Sequence, residues 1–244
     1  MDNSGSSKPS HDSDKSVPQS PVAFGIECEV KLEVASKSDL LGYLAVLPRP
    51  RRWGMQLNCY LDTPGAELRS AGISLRVRIT PDHARLTLKQ KRGRQGATFR
   101  TEETEVQVPR PSAIAWVVDG KAFDLAKMPG FEGVAGRVAG MTLGVVNWSL
   151  TRRAICDTEE GVTIEVDETV FPDGHRDFEI EAEDLDPDKA MRVMTAFAVM
   201  ANITLKPQTR TKHARADAHK GETPFVIPEG DPSGAMPCGL EDDR

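Results

Sequence analysis

Six segments of this chain alternate apolar with charged residues, and in each the charges fall on one face. The first is Ile26-Glu27-Cys28-Glu29-Val30-Lys31-Leu32. Side chains alternate faces along a strand, so Glu27, Glu29 and Lys31 share one side and Ile26, Cys28, Val30 and Leu32 the other. In 73–80, Arg76 and Arg78 oppose Leu75, Val77 and Ile79; in 84–91, Thr87, Lys89 and Lys91 oppose Leu86 and Leu88. In 101–108, Glu103, Glu105 and Gln107 oppose Val106 and Val108, and Glu102 leaves the register open by one. In 161–170, Glu165 and Asp167 oppose Ile164 and Val166; in 176–184, Glu179, Glu181 and Glu183 oppose Phe178 and Ile180. On any single strand a solvated sheet face reads the same way. Like charges at i and i+2, however, repel mildly unless a ligand or metal lies between them. A sheet closed into a barrel can turn such faces inward and pack its apolar faces against helices outside.

In such a lumen Lys31, Arg76, Arg78, Lys89, Arg153 and Lys212 supply six positive charges. Glu27, Glu29, Glu103, Glu105, Asp167, Glu179 and Glu181 supply seven negative ones. Enclosed carboxylates this dense need divalent cations or protons. The bases need a small anion of high charge. A chain of phosphates bridged to Mg²⁺ or Mn²⁺ satisfies both.

The rest of the sequence narrows the class. The 244 residues, 39% hydrophobic and 28% charged, suit one soluble domain of about 200 residues. No long apolar run or signal-peptide core is present, so neither a membrane span nor secretion is expected. The four cysteines (Cys28, Cys59, Cys156, Cys238) form no CxxC pair and read as reduced thiols of a cytoplasmic protein. A net charge of -6 argues against non-specific nucleic-acid binding.

Residues 1–20, rich in Ser, Asp, Lys and Pro, are expected to be a disordered tail, and 221–244 a flexible one. Between them, strands are predicted over 24–35, 55–62, 73–80, 84–91, 98–108, 149–157, 161–170 and 176–184. Helices are predicted over 37–47, 112–118, 131–139 and 187–202. The last has Asp186 as N-cap, Pro187 in the first position and an apolar stripe of Ala190, Val193, Met194, Phe197 and Met200. Short connections favour antiparallel pairing, and the class is α+β.

At this point the chain resembles the CYTH superfamily, the triphosphate tunnel metalloenzymes. Glu27-x-Glu29-x-Lys31 matches its ExExK signature. Leu57-Asn58-Cys59-Tyr60-Leu61-Asp62-Thr63-Pro64 followed by Leu75-Arg76-Val77-Arg78 resembles its Y(Y/F)DTP … LR(I/V)R block, and Thr87-Leu88-Lys89 its T(L/M)K strand. Thr151-Arg152-Arg153, Glu165-x-Asp167, Glu179-x-Glu181 and Thr211-Lys212 follow in the family's order, so the resemblance spans about 24–217. It implies a closed antiparallel β-barrel of about eight strands forming a tunnel, helices packed outside, over 21–220. It also implies metal-dependent hydrolysis or cyclisation of triphosphate compounds. By the same resemblance Lys31, Arg76, Arg78, Lys89, Arg153 and Lys212 bind phosphate oxygens, and Glu27, Glu29, Asp167, Glu179 and Glu181 hold Mg²⁺ or Mn²⁺. Glu103 and Glu105 position water or orient the bases, and the choice of Arg153 over Arg152 is one of register. Lys206 and Arg210 either reinforce the tunnel mouth or face solvent. His83, His175 and His213 read as surface residues, in turns or near a strand end.

Within the family the chain is most similar to bacterial inorganic triphosphatases, so hydrolysis of inorganic triphosphate to pyrophosphate and phosphate is the expected activity. The adenylyl cyclase branch carries a His-Phe element before ExExK, where this chain has Pro21-Val22-Ala23-Phe24-Gly25. Class IV-type cyclisation, thiamine triphosphate hydrolysis with Trp53 or Trp148 stacking, and a non-catalytic polyphosphate- or nucleotide-binding module are the alternatives. The helical polyphosphate-associated domain common in bacterial relatives is not found after Lys212, so a stand-alone module is expected. A homodimer is left open.

Overall fold

The apolar alternation is long enough to build one closed sheet. A computed structural model describes residues 23–49, 51–121 and 124–229; the tail expected over 1–20 and the end of the one over 221–244 lie outside these residues. Eight strands close the barrel: β1 (Ala23–Val34), β2 (Arg52–Asp62), β3 (Ile73–Ile79), β4 (Ala84–Gln95), β5 (Thr98–Val108), β6 (Gly144–Asp157), β7 (Thr163–Val170) and β8 (Arg176–Glu183). Every pairing is antiparallel, in the order β5-β4-β3-β2-β6-β7-β8-β1, and β1 pairing with β5 completes the circle. A two-residue strand β9 (Lys206–Pro207) adds to the outer part of β1. Pro207 is tolerated there because an edge position asks for no ladder donor. The β4–β5 hairpin turns at Gly96, whose φ of 57° is the left-handed region that favours glycine.

Register puts the paired charges on one wall surface. Lys89 lies opposite Glu103, Thr87 opposite Glu105, Arg76 opposite Tyr60 and Thr87, Arg153 opposite Asp167, Asp167 opposite Glu179, and Glu181 opposite both Glu165 and Lys31. Laterally paired residues point to the same face, so all of these turn inward. The alternate residues face outward into two apolar cores. One gathers Val30, Leu32, Val34, Ile164, Val166 and Ile180 under α1 (Lys37–Val46) and α5 (Pro187–Ala201). The other gathers Leu57, Cys59, Leu75, Val77, Ile79 and Leu86 under α3 (Arg110–Val117) and α4 (Glu132–Arg137). Burying each such side chain contributes roughly 1.5–3 kcal/mol, which holds the polar face inward.

Local signals explain most element ends. The Asp186 carboxylate accepts from Lys189 N (3.0 Å) at the start of α5, and Ser36 Oγ accepts from Asp39 N (3.1 Å) at the start of α1. Asp62, from the family-like Asp-Thr-Pro block, accepts from Thr63 N (2.8 Å), Leu68 N (3.0 Å) and Arg69 N (3.0 Å). It therefore locks α2 (Glu67–Ser70), a turn of helix absent from the sequence reading, between β2 and β3. Also absent from it is α6 (Lys212–Ala216), capped by Thr211 Oγ1 accepting from Ala214 N (3.1 Å). Residues 221–229, assigned from sequence to the C-terminal tail, run along the barrel: Trp148 Nε1 donates to Thr223 O (3.2 Å), and Phe225 and Ile227 join the second core. No helix among the described residues is long and apolar enough to cross a membrane.

Candidate active site in the barrel lumen

Acids and bases inside the barrel interlock around Glu181. Lys31 Nζ donates to Glu181 Oε1 (2.6 Å) and pairs with Glu29 (2.7 Å). Arg153 forks onto Asp167 through Nε (2.7 Å) and Nη2 (2.5 Å), reaches Glu181 Oε2 (2.8 Å) and pairs with Glu165. Lys212 enters from α6 and contacts Asp167 (2.7 Å), Glu181 (2.7 Å) and Glu179. Arg152, by contrast, lies over the ring of Trp53 (4.7 Å to its centroid), and Trp53 pairs laterally with the outward-facing Ala154, so it is not an inward stacking platform. Trp148 is buried in the outer core.

A second network lies on β4 and β5. Lys89 pairs with Glu103 (2.7 Å) and Glu27, and Glu27 also accepts from Thr101 Oγ1 (3.1 Å). Glu105 pairs with Arg85 (2.8 Å) and accepts from Thr87 Oγ1 (3.1 Å), which in turn accepts from Arg76 Nη2 (3.4 Å). Glu105 is thus linked to Arg76 through Thr87. Glu102 points away and pairs with Arg92 outside, which settles the register of β5.

Arg76 and Arg78 differ from the other cations: among the described residues neither has an ion-pair partner. Arg78 Nε donates to Asn58 Oδ1 (3.0 Å), and Arg76 Nε is buried with no acceptor. Burial, with Arg76 and Arg153 nearby, pulls the Arg78 guanidinium down to about 10. The wall of β3 is therefore a place where an anion is wanted.

Two carboxylate groups each bring three oxygens within 4.8 Å of one another: Glu29, Glu165 and Glu181, and Asp167, Glu179 and Glu181. Charged oxygen donors without Cys or His suit a hard cation. Glu27, one of the sequence-predicted ligands, lies outside both groups. Glu165 is in the first group but among the sequence-predicted site residues only by its strand. Arg215 was not singled out at all. The remaining predicted residues meet in the lumen, while Lys206 and Arg210 stay exposed.

One barrel end is closed by α6. His213, read from sequence as a surface residue, is largely covered there: its ring stacks on Tyr60 (4.2 Å, 1° between planes) and its Nδ1 pairs with Ser74 Oγ (2.9 Å). Burial pushes its pKa below the usual histidine range. The misreading follows from α6 being invisible in sequence. At the opposite end a cavity of about 390 Å³, lined by Ile26, Leu185, Glu165 and Glu183 among others, opens beside the first carboxylate group.

Burial pushes Glu29 up to about 7, more than Lys31 pulls it down. Glu181 and Asp167 are also buried, but the cations around them hold both below the usual carboxylate range. The sign follows. Between about 4.5 and 7 the folded protein holds a proton on Glu29 that the unfolded chain has lost. The Glu29 contribution to metal-free stability should therefore rise as pH falls from 8 to 5, whereas His213, kept neutral by burial, contributes the opposite sign, so the difference between wild type and Glu29→Gln isolates the first. A divalent cation held by the first carboxylate group would compete for the same oxygen and should bind more weakly over that interval. Thermal melts with chelator and Mn²⁺ titrations across pH 5–8 check both slopes.

The comparisons agree with this geometry. The CYTH domain family model matches residues 25–213. No curated protein matches the chain in sequence. Among solved structures, the putative adenylyl cyclase HpAC1 from Hippeastrum, reported with a dominant triphosphatase activity, superposes with a TM-score of 0.74 at 22% identity, covering 80% of this chain and 96% of its own. A putative adenylate cyclase from Bacillus halodurans gives 0.56 at 19% identity, covering 78% and 98%. The PH1819 protein from Pyrococcus horikoshii gives 0.52 at 18%, covering 79% and 99%. At these identities the likeness is one of fold. The family model itself covers most of the sequence and takes in the ExExK strand at one end and Lys212 at the other, and on that ground this chain belongs to the CYTH domain family.

Proposed function

We propose that the lumen binds a linear triphosphate and hydrolyses inorganic triphosphate, with water, to pyrophosphate and phosphate, using Mg²⁺ or Mn²⁺. One observation carries the reading: Arg76 and Arg78, which bond only neutral oxygens among the described residues, line the same lumen as two three-carboxylate groups. A lumen that only bound an anion would not need those acids. A metal site alone would not need the arginines.

Arg76 and Arg78 grip phosphate oxygens in bidentate fashion, and Lys89, Lys31, Arg153 and Lys212 supply further charge as the acids are taken up. Glu29, Asp167, Glu165, Glu179 and Glu181 would hold the metal, which when bound neutralises phosphate charge and acidifies water. Glu103 keeps Lys89 in place, and Glu105 keeps Arg76 in place through Thr87. These bases stabilise charge on the transferring phosphoryl group and on the pyrophosphate leaving group. The named activity of HpAC1 supports the triphosphatase branch over cyclisation.

Phosphate release from inorganic triphosphate, thiamine triphosphate, ATP and long polyphosphate, with Mg²⁺, Mn²⁺ or chelator, tests the reading. Fast release from triphosphate that chelator abolishes is the expected result. ATP yielding pyrophosphate and a cyclic nucleotide would assign the cyclase chemistry instead, and silence on every substrate would leave a binding module.

A further inference from the structure

Arg215 is a buried charge that the reaction sketched above leaves unused. It is 4% exposed, on α6, three residues after Lys212. Its guanidinium spans two carboxylates of β8: Nη1 donates to Asp177 Oδ2 (2.8 Å) and Nη2 to Glu179 Oε2 (2.6 Å). Asp177 and Glu179 stand at i and i+2 on the lumen face, so without a shared cation they would repel. The other oxygen of Glu179, Oε1, faces Lys212.

The two α6 cations therefore divide Glu179 between them. Lys212 also reaches Asp167 and Glu181, so it sits within the second carboxylate group, while Arg215 approaches from behind and touches no other member of it. A buried carboxylate on a single strand has freedom about χ3 unless one oxygen is held. A fork anchored on Asp177 holds Oε2, so the carboxylate stays fixed even when Oε1 exchanges Lys212 for a cation.

We propose that Arg215, anchored by Asp177, is a positioning residue that fixes the Glu179 carboxylate so that Oε1 is presented to the cation of the second group. This rests on the lumen being the metal site of the proposed function. Arg is required for geometry more than for charge, because an ammonium cannot span both acids in one plane. Partners of this kind, one shell out from a ligand, typically change metal affinity by about 10–100-fold when lost.

Arg215→Lys separates the two roles, since the local charge is unchanged and only the fork is removed. The readout is Mn²⁺ binding to the substrate-free full-length protein by calorimetry, with a thermal melt alongside. Arg215→Lys should bind Mn²⁺ at least about tenfold more weakly. Asp177→Asn, which loosens the anchor and leaves Arg215 in place, should move affinity in the same direction by less. If Arg215→Lys does not fold, Asp177→Asn decides. Wild-type Mn²⁺ affinity in either folded variant, even with a lowered Tm, would overturn the proposal and leave Arg215 a structural brace. Wild-type protein that binds Mn²⁺ yet hydrolyses nothing would sink the triphosphatase reading alone. Wild-type protein that binds no Mn²⁺ would sink the positioning role of Arg215, and phosphate release with Mg²⁺ would still decide the triphosphatase reading.

Discussion

Glu181→Gln is expected to reduce metal-dependent phosphate release to background and to lower the unfolding free energy by about 3–5 kcal/mol. Position sets both effects. Glu181 contacts Lys31 (2.6 Å), Arg153 (2.8 Å) and Lys212 (2.7 Å), and it belongs to both carboxylate groups. Gln keeps the shape and removes the charge, so three enclosed cations lose a counter-ion they share. Glu29→Gln makes the contrast. Among the described residues Glu29 has one ion-pair partner, Lys31, and burial lifts its pKa to about 7, so much of it is already neutral at pH 7. An amide there should leave stability close to wild type while removing a donor from the first carboxylate group. Phosphate release and urea unfolding on the two variants read the difference: Glu181→Gln loses turnover and stability, Glu29→Gln turnover alone. Turnover retained in Glu181→Gln would take the residue out of the site.

That contrast could not be drawn from sequence, and the reason is physical. Alternation with period two reveals which side chains share a face, and the inward set Glu27, Glu29, Lys31, Arg76, Arg78, Lys89, Glu103 and Glu105 was legible on that ground. Barrel closure came from the family resemblance, since a flat sheet has the same alternation. Strand β2 begins at Arg52, earlier than expected, because Arg52-Trp53-Gly54 carries no apolar alternation. Lys91-Arg92-Gly93-Arg94-Gln95 hid the end of β4 for the same reason, and the start of β6 at Gly144 preceded any charged pattern. The five residues of α6 hold no amphipathic stripe, so nothing local announced that Arg215 would be buried and His213 largely covered. Their burial is set by the barrel end they close, a tertiary fact. Glu165 was visible on its strand, but a donor is distinguished from a wet-face carboxylate only by what lies across the lumen.

Arg78→Gln should move binding and stability in opposite directions. Most cations lining this barrel have a carboxylate partner; among the described residues Arg78 has only the Asn58 side-chain oxygen at 3.0 Å. Its pKa is drawn down to about 10 by burial and by Arg76 and Arg153. The folded state therefore disfavours the charged guanidinium relative to the unfolded chain, and at neutral pH that charge lowers stability. Removing it should leave Tm unchanged or raise it in phosphate-free buffer. The same charge is what a phosphate oxygen would meet, in a site where removing one such donor typically costs about 10²–10³-fold in rate. A fall of that order in kcat/KM for triphosphate is expected, together with a smaller rise in Tm on adding pyrophosphate than wild type shows, because ligand stabilisation scales with affinity. Asn58→Ala, which removes the one hydrogen bond and keeps the charge, should lower kcat/KM far less. If Arg78→Gln instead destabilises the fold and leaves kcat/KM untouched, Arg78 is a strut within the wall, and the β3 face is not where the anion binds.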